Sequence, residues 1–255
     1  VKPIAGAGSA DTYRVDDEAN LDAILPRVHH VAEVSVEEFV EGEEYTFDTV
    51  CADGDMLYHN VSHYRPQVLI GRSLEWVSPQ TVALRDVDAD ALKGGVELGK
   101  NVLKALGFRT GFTHMEWFRT PKGEAVFGEI GCRPPGARSV DVMNYASDLD
   151  LFEGWAEAIV HRRFTQTIDR MYNAIVIFKR AQGQGRIRHV EGLDRLLAHY
   201  GSHVVDLNLL PLGAPRRNWK KTLLSDGSIV IRHPDRATAY DIADAFGTDL
   251  QIYAE

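Results

Sequence analysis

Two glutamates stand at matching places in neighbouring β-prone segments and together could bind a cation. Glu116 lies in the run 111–118, Glu129 lies in the run 124–130, and Lys122-Gly123 is a turn signal between them. A two-residue turn would place Glu116 directly opposite Glu129, and a four-residue turn would keep both on one face. A three-residue turn would instead separate them onto opposite faces, because side chains alternate along a strand.

Paired carboxylates on one sheet face need a compensating charge. Directly opposed like charges cost roughly 0.2–1 kcal/mol, and more where water is excluded, so such a pair is usually neutralised by a metal or a base. Ligand sets made only of oxygen favour magnesium or manganese over zinc. The pair therefore predicts a magnesium site, and the alternative is an edge hairpin whose acidic face is solvated.

Two other segments have side chains suited to a nucleotide. Lys2 precedes a small-residue loop with Gly6, Gly8 and Ser9, and an ammonium beside free backbone N–H groups can bind phosphate oxygens. Such loops more often only turn the chain. Residues 36–46 mix acidic, apolar and aromatic types, which suits a purine and ribose hydroxyls, or alternatively a solvated edge strand protected by its charge.

These three pieces, in this order, resemble the ATP-grasp superfamily over roughly residues 1 to 160. The resemblance implies two metal-binding carboxylates, Glu116 and Glu129, and an arginine, Arg133, that stabilises the reacting carboxylate or phosphate. It implies ATP-binding roles for Lys2, for the phosphate-covering loop residues Gly6, Gly8 and Ser9, for the adenine-binding hinge Glu37, Glu38, Phe39 and Val40, and for Glu44 at the ribose. The pattern departs at Gly131, where the superfamily usually has an asparagine ligand for the second metal.

The implied activity is that of an ATP-dependent carboxylate–amine ligase. A substrate carboxylate would attack the γ-phosphate of ATP to give an acyl phosphate, and an amine would capture it as an amide. The cofactors implied are ATP and Mg²⁺, with Mn²⁺ as the alternative, and the partners are a small-molecule carboxylate and amine. A biotin-carboxylase-like enzyme is an alternative, although the glutamate that follows the arginine in that group is absent from Pro134-Pro135-Gly136-Ala137-Arg138. Gly131 supports a further alternative, a nucleotide-binding module without catalysis.

Five more side chains could contribute to the site without any one being singled out. His63, Arg65, Arg72 and Arg138 could bind substrate carboxylates, or simply be solvated. His114 shares a face with Glu116, so it either lines the site or is a hydrogen-bonded structural histidine.

Charge and cysteine content exclude several classes of protein. The net charge is −9 over 255 residues, and no segment clusters Lys and Arg as nucleic-acid binding requires. Apolar runs long enough for a membrane span are absent from the sequence, and the two cysteines, Cys51 and Cys132, are far apart. These features predict a cytoplasmic protein in a reducing compartment and leave a homodimer open. The start at Val1, within what reads as a strand, leads us to expect that an N-terminal portion precedes it.

The pattern of elements predicts an α+β protein: an ATP-grasp fold with antiparallel sheets and flanking helices, followed by a small α+β domain. The expected domains are 1–164, divided into a phosphate-loop subdomain 1–36 and a core subdomain 37–164, and 165–255. Apolar spacing predicts helices over 85–106, 151–160, 193–200 and 237–246. The inner face of the first of these is expected to carry Leu92, Val96, Leu103 and Leu106. Residues 31–40 are expected to form a strand, and 59–81 an irregular loop over the site.

Overall fold

A computed structural model of the protein describes residues 1–4, 11–222 and 225–255. The predicted phosphate loop with Gly6, Gly8 and Ser9 lies outside the described residues. Within those ranges, no helix is both long enough and apolar enough to cross a membrane.

The first part of the chain forms a two-stranded ribbon around a short helix. β1 (Lys2–Pro3) pairs antiparallel with β2 (Val34–Ser35), and α1 (Glu18–Ile24) lies between them in sequence. The strand predicted over 31–40 is thus only two residues long, and residues 36–42 lie in no strand or helix. The acidic residues of this stretch favour solvation over pairing along a sheet edge.

The remaining strands and helices follow one another along the chain. The strands are β3 (Glu43–Ala52), β4 (Asp55–Arg65), β5 (Gln80–Ala83), β6 (Gly111–Arg119), β7 (Ala125–Gly131), β8 (Asn173–Lys179), β9 (Gln182–Gly183), β10 (Ile187–Glu191), β11 (Val204–Leu209), β12 (Gly227–His233) and β13 (Gln251–Ala254). The helices are α2 (Val68–Ser73), α3 (Lys93–Ala105), α4 (Ser139–Ser147), α5 (Leu151–His161), α6 (Leu193–Tyr200) and α7 (Arg236–Asp249).

Eight of these strands form one antiparallel sheet in the order β11–β12–β8–β5–β4–β3–β6–β7. A second, three-stranded sheet has the order β10–β13–β9. The fold is therefore mixed α+β with a large antiparallel sheet and flanking helices, as predicted. The sheet is continuous across residue 165, since β8 pairs with β5, so the domain boundary proposed there divides strands of one sheet.

Two further sequence-based expectations about elements were wrong. The stretch 59–81 is not an irregular loop, because β4 continues to Arg65 and α2 and β5 follow it. His63 lies on a sheet face, where its ring stacks on Tyr45 with ring centroids 4.6 Å apart. The helix predicted over 85–106 begins only at Lys93, after a 3₁₀ turn at Asp90–Leu92, and the Arg85 backbone N–H donates to the Asn173 side chain.

The two faces of the large sheet are covered differently. On one face, Phe47, Met115 and Trp117 belong to an apolar cluster that includes residues of α3 and α7. On the other face, Val50 and Phe112 pack in a cluster with residues of α4 and α5. Because strand side chains alternate, Glu44, Thr46 and Asp48 share the face of Val50. That face is therefore apolar at one end of β3 and polar at the other.

Candidate active site

The structure places Glu116 directly opposite Glu129 on the β6–β7 hairpin, as predicted. The turn that produces this register differs in length from the expected two-residue turn. Thr120 donates its N–H to the Glu124 carbonyl at 2.9 Å, so the turn contains three residues, Pro121 to Gly123, and the two-residue turn was wrong. Gly123 has φ +83°, the left-handed conformation that closes three-residue hairpin turns.

A β-bulge keeps the two glutamates on one face of the sheet, whereas the three-residue turn alone would place them on opposite faces. Trp117 pairs with Phe127, whereas Glu116 pairs with Glu129, so Gly128 is an extra residue on β7. Without the bulge Glu116 would face Gly128, and the Glu129 side chain would point to the opposite face of the sheet. A Cβ on Gly128 would lie 2.8 Å from the Glu116 carbonyl oxygen, so the close approach requires glycine.

A third carboxylate joins the pair on the same face. Glu44 is buried at the start of β3, and one of its oxygens accepts the Val68 N–H at 2.7 Å. Burial, together with the negative charges of Glu116 and Glu129, raises the pKa of Glu44 to about 8. Its carboxyl group is therefore largely protonated near neutral pH. Burial is the larger cause of this shift, and the nearby carboxylates add to it.

His114 links Glu116 to the interior of the sheet. Its Nδ1 lies 2.6 Å from Asp48 Oδ1 and its Nε2 lies 3.4 Å from Glu116 Oε1. Burial alone would lower the pKa of His114, but the carboxylates of Asp48 and Glu116 outweigh it and raise the pKa to about 10. The side chain of Thr46 donates to the other Asp48 oxygen at 2.5 Å. His114 thus both lines the face of Glu116 and is held by a buried carboxylate.

Lys2 reaches the carboxylate pair from the β1–β2 ribbon. Its Nζ lies 3.0 Å from Glu37 Oε2 and 3.5 Å from Glu129 Oε2. Desolvation opposes the charged ammonium, yet these two carboxylates raise the Lys2 pKa overall. Lys2 therefore contacts two other residues assigned by the resemblance, Glu37 and Glu129.

One residue of the predicted hinge, Phe39, lines a large cleft. A cavity of about 1260 Å³ is lined by Phe39, Gly42, Glu44, Tyr64 and Gln67, among others. The Phe39 ring lies 4.4 Å from the guanidinium carbon of Arg14, while Glu38 is exposed and Val40 is half-buried. The cleft therefore joins Phe39 of the predicted adenine hinge to the predicted ribose-binding Glu44.

Two residues of this cleft, Tyr64 and Gln67, were missed by the sequence analysis. Burial and the charges of Glu116, Asp48 and Glu44 keep the pKa of Tyr64 well above its usual value. The side-chain amide of Gln67 donates to the Gly42 carbonyl and so ties the loop after β4 to the hinge. The sequence analysis predicted that the segment 59–81 passes over a site, and this segment contains both residues. It gave no reason to choose Tyr64 and Gln67 among the side chains of that segment.

Arg133 follows the end of β7 and is exposed, with its Nη1 donating to the Pro134 carbonyl at 3.0 Å. The other basic candidates are engaged within the fold. Arg65 pairs with Asp244 at 3.0 Å, and Arg138 pairs with Asp206. His63 lies on the opposite sheet face, where its Nδ1 is 3.2 Å from the Tyr240 hydroxyl. Arg72 is partly buried.

The arrangement of acidic groups suits a cation that arrives with phosphate. In the part of the chain that the structure describes, no three His, Cys, Asp or Glu side chains form a ready-made metal cage. Magnesium does not require one, because it commonly uses one or two carboxylates together with phosphate oxygens and water. Glu116 and Glu129, directly opposite each other on the hairpin, could supply those carboxylates.

Comparison with known proteins points to one fold. No protein-family model matches the chain. An L-arginine-specific L-amino acid ligase of Bacillus subtilis is 26% identical over 201 residues, which cover 76% of this chain and 48% of that protein. The chain thus spans about half the length of the curated relative that it matches.

Solved structures agree over almost the whole chain. An L-amino acid ligase of Bacillus licheniformis superposes with a TM-score of 0.78 at 18% identity, covering 100% of this chain and 62% of its own. N5-carboxyaminoimidazole ribonucleotide synthetase of Thermotoga maritima gives 0.66 at 19% identity, covering 95% and 60%. The biotin carboxylase domain of the Hydrogenobacter thermophilus 2-oxoglutarate carboxylase, solved with MgADP and bicarbonate, gives 0.67 at 14% identity, covering 98% and 57%.

These structures identify the fold of the chain. It is the fold of the ATP-grasp superfamily, as the resemblance of the motifs predicted. The sequence of the chain is similar to that of an L-amino acid ligase.

Proposed function

We propose that this chain contains the ATP-binding and catalytic residues of an ATP-dependent ligase that joins a small-molecule carboxylate to an amine. The observation that carries the proposal is the in-register pair Glu116 and Glu129, placed beside Lys2 on the polar part of the sheet face. Two L-amino acid ligases among the similar proteins support it. The substrates themselves, an acid and an amine, are proposed only as chemical classes.

The proposed reaction forms an acyl phosphate from the substrate carboxylate and the γ-phosphate of ATP, with release of ADP. An amine then attacks the acyl carbon, and phosphate leaves as the amide forms. Mg²⁺, or Mn²⁺ in its place, would be held by Glu116 and Glu129 and would neutralise charge on the phosphates. Phosphoryl transfer depends on positioning and charge neutralisation more than on a covalent intermediate with the protein.

Other residues of the chain have defined tasks in this proposal. The Lys2 ammonium, now shared by Glu37 and Glu129, is close enough to the pair to exchange a carboxylate for a phosphate oxygen. The exposed Arg133 guanidinium would stabilise the reacting carboxylate or phosphate. Glu37, Glu38, Phe39 and Val40 would bind the base, and Glu44 the ribose hydroxyls. Gly6, Gly8 and Ser9 are proposed to cover the phosphates.

A nucleotide-binding module without catalysis is the second candidate, because Gly131 removes one side-chain ligand from the usual pattern. The similarity of fold favours the biotin-carboxylase-like alternative. The absence from this chain of the glutamate that follows the arginine in that group counts against it. ADP release that requires an amino acid pair supports the ligase. Binding of ATP without turnover in any mixture would support the module, and bicarbonate-dependent ADP release would support the carboxylase.

The metal assignment is tested by Glu129→Gln in the full-length protein, with ADP release measured against mixtures of amino acids. The substitution removes charge and keeps volume, so we expect turnover to fall by at least about 100-fold with an unchanged thermal midpoint. Glu124→Gln is the matched control, since Glu124 is an exposed residue next to the turn of the same hairpin. Full activity in Glu129→Gln would overturn the metal assignment.

Two further predictions concern the surroundings of the protein. A cytoplasmic location stays a prediction, supported by two free cysteines, of which Cys51 is buried and Cys132 exposed. A homodimer likewise stays a prediction, which light scattering of the full-length protein would test.

A further inference from the structure

Glu116 is the better buried member of the carboxylate pair and has a contact that Glu129 lacks. Its side chain is 25% exposed, whereas that of Glu129 is 57% exposed. His114 approaches Glu116 Oε1 at 3.4 Å, so Oε2 is the oxygen left for a cation. A glutamate side chain loses up to about 2 kcal/mol of rotamer entropy when it is fixed, and a group that fixes it beforehand removes that cost from ligand binding.

His114 is itself fixed by residues from a different strand. Asp48 is fully buried on β3, directly opposite His114 in the β3–β6 register, and its carboxylate lies 2.6 Å from Nδ1. The Thr46 hydroxyl holds the second Asp48 oxygen at 2.5 Å and in turn accepts the Ser62 N–H at 3.3 Å. The chain of contacts therefore runs from the backbone of β4 through Thr46, Asp48 and His114 to Glu116.

A buried charged network of this kind is costly unless each member is paired. An apolar set of residues could fill the same volume on this face, as it does further along β3 at Val50. Along β3, the polar residues of this face, Glu44, Thr46 and Asp48, lie at the end where Thr46 pairs with Glu116, and apolar residues follow from Val50 onward. Their placement indicates a role connected with the carboxylate pair.

We propose that Asp48 and His114 are positioning residues that hold the Glu116 carboxylate ready for a divalent cation. This rests on the proposed function, because it takes Glu116 as a metal ligand. The network would act through orientation. Asp48 holds the imidazole ring of His114, and Nε2 of that ring holds Oε1 of Glu116. Metal-binding carboxylates depend on such supporting groups, whose loss commonly weakens metal binding about 10- to 100-fold.

Two substitutions of His114 separate positioning from a merely structural role. His114→Gln keeps a nitrogen near the place of Nε2, facing Glu116, and loses the one that faces Asp48. His114→Asn keeps a nitrogen near the place of Nδ1, facing Asp48, and loses the contact with Glu116. Each variant therefore keeps one of the two contacts of His114: His114→Gln keeps the contact with Glu116, and His114→Asn keeps the contact with Asp48.

The measurement is Mn²⁺ binding to the full-length protein in the presence of ADP, followed by the electron paramagnetic resonance signal of free Mn²⁺. Positioning predicts that His114→Asn weakens Mn²⁺ binding about 10-fold or more, while His114→Gln stays within about 3-fold of the parent protein. ADP affinity without metal should be equal in both variants. Equal Mn²⁺ affinities in the two variants, or weaker binding by Gln than by Asn, would overturn the proposal.

Two more variants keep the result interpretable. Thr46→Val removes the hydroxyl that holds Asp48 and should weaken Mn²⁺ binding by a few-fold in the same direction, which provides the test if His114→Asn does not fold. Unchanged Mn²⁺ binding in Thr46→Val would then count against positioning. Glu116→Gln tests the metal site itself. If Glu116→Gln leaves Mn²⁺ binding unchanged, the proposed function fails; if it weakens binding while the His114 variants do not, only the positioning role fails.

Discussion

Gly131 is the residue at which this chain differs most clearly from the ATP-grasp motif pattern. A Cβ at this position would lie 3.4 Å from Arg133 Cγ and 3.5 Å from Arg133 Nε, so the long arginine side chain covers the space beside the glycine. Arg133 is exposed and flexible enough to move away from a larger neighbour. An asparagine could therefore be accommodated here at small cost.

We expect Gly131→Asn to tighten Mn²⁺ binding several-fold in the presence of ADP, because it adds an amide oxygen two residues after Glu129. Gly131→Ala is the matched control, since it adds the same Cβ without a ligand atom. Electron paramagnetic resonance titration of both variants would test this. An equal gain in the two variants would attribute the effect to backbone stiffening and contradict a ligand role.

At the scale of single residues, the sequence was informative where chemistry is local. The pairing of Glu116 with Glu129 was predicted correctly although the turn length was not, because the β-bulge at Gly128 compensates for the three-residue turn. The role of His114 could not be predicted, because its partner Asp48 lies 66 residues earlier in the chain. Only the register of β3 against β6 brings the two together.

At the scale of elements, α3 shows why helix boundaries and contacts were harder to predict. Apolar spacing indicated that Leu92, Val96 and Leu103 face the core, and all three are buried. Leu106, predicted on the same face, is 62% exposed, because it lies just beyond the end of the helix. The helix approaches the sheet closely at Gly95 and Gly99, where a Cβ would lie 2.1 Å from the Trp117 ring and 2.2 Å from the Phe47 ring.

Gly99→Ala is therefore expected to destabilise the protein in spite of the higher helix propensity of alanine. Propensity favours alanine by about 1 kcal/mol, whereas forcing a methyl group against a buried ring costs about 1–3 kcal/mol. Gly94→Ala is the control on the same helix, because its Cβ would meet only the Ala125 methyl at 3.5 Å. Urea unfolding should show a loss for Gly99→Ala and no loss for Gly94→Ala. A gain in both would show that α3 can move away from the sheet.

At the scale of the whole molecule, the large sheet is assembled by pairing between strands that are far apart in the sequence. The pairing of β5 with β8 joins residues about a hundred positions apart, and sequence patterns give no register for such pairs. The fold class was predictable because three motifs occurred in a fixed order. The burial of histidines between elements that are distant in the sequence could not be predicted.

Two such histidines predict how stability depends on pH. Burial lowers the pKa of both His59 and His63 from 6.5 to about 4. The folded protein keeps them neutral, so between pH 6.5 and about 4 the unfolded chain binds more protons. Their contribution to stability is complete above pH 6.5 and is lost as the pH falls toward 4. Each group changes the slope by up to about 1.4 kcal/mol per pH unit.

The measurement is the urea-unfolding free energy of the parent protein and of His63→Gln at pH 7 and pH 5. His63→Gln removes one of the two titrating groups, so its stability should fall less steeply between the two pH values. Carboxylates titrate alike in both proteins and cancel in the comparison. Parallel pH profiles for the two proteins would contradict the buried, neutral state of His63.

The bulge at Gly128 has a consequence for how this site can change over evolution. The Glu129 carboxylate faces Glu116 only because one residue without a side chain is inserted before it. Losing that single residue would leave every acidic group in the sequence and still turn one carboxylate to the wrong face. Relatives that preserve all the reactive side chains but differ in length by one residue between Phe127 and Glu129 should therefore be inactive, and counting residues there is as informative as identifying them.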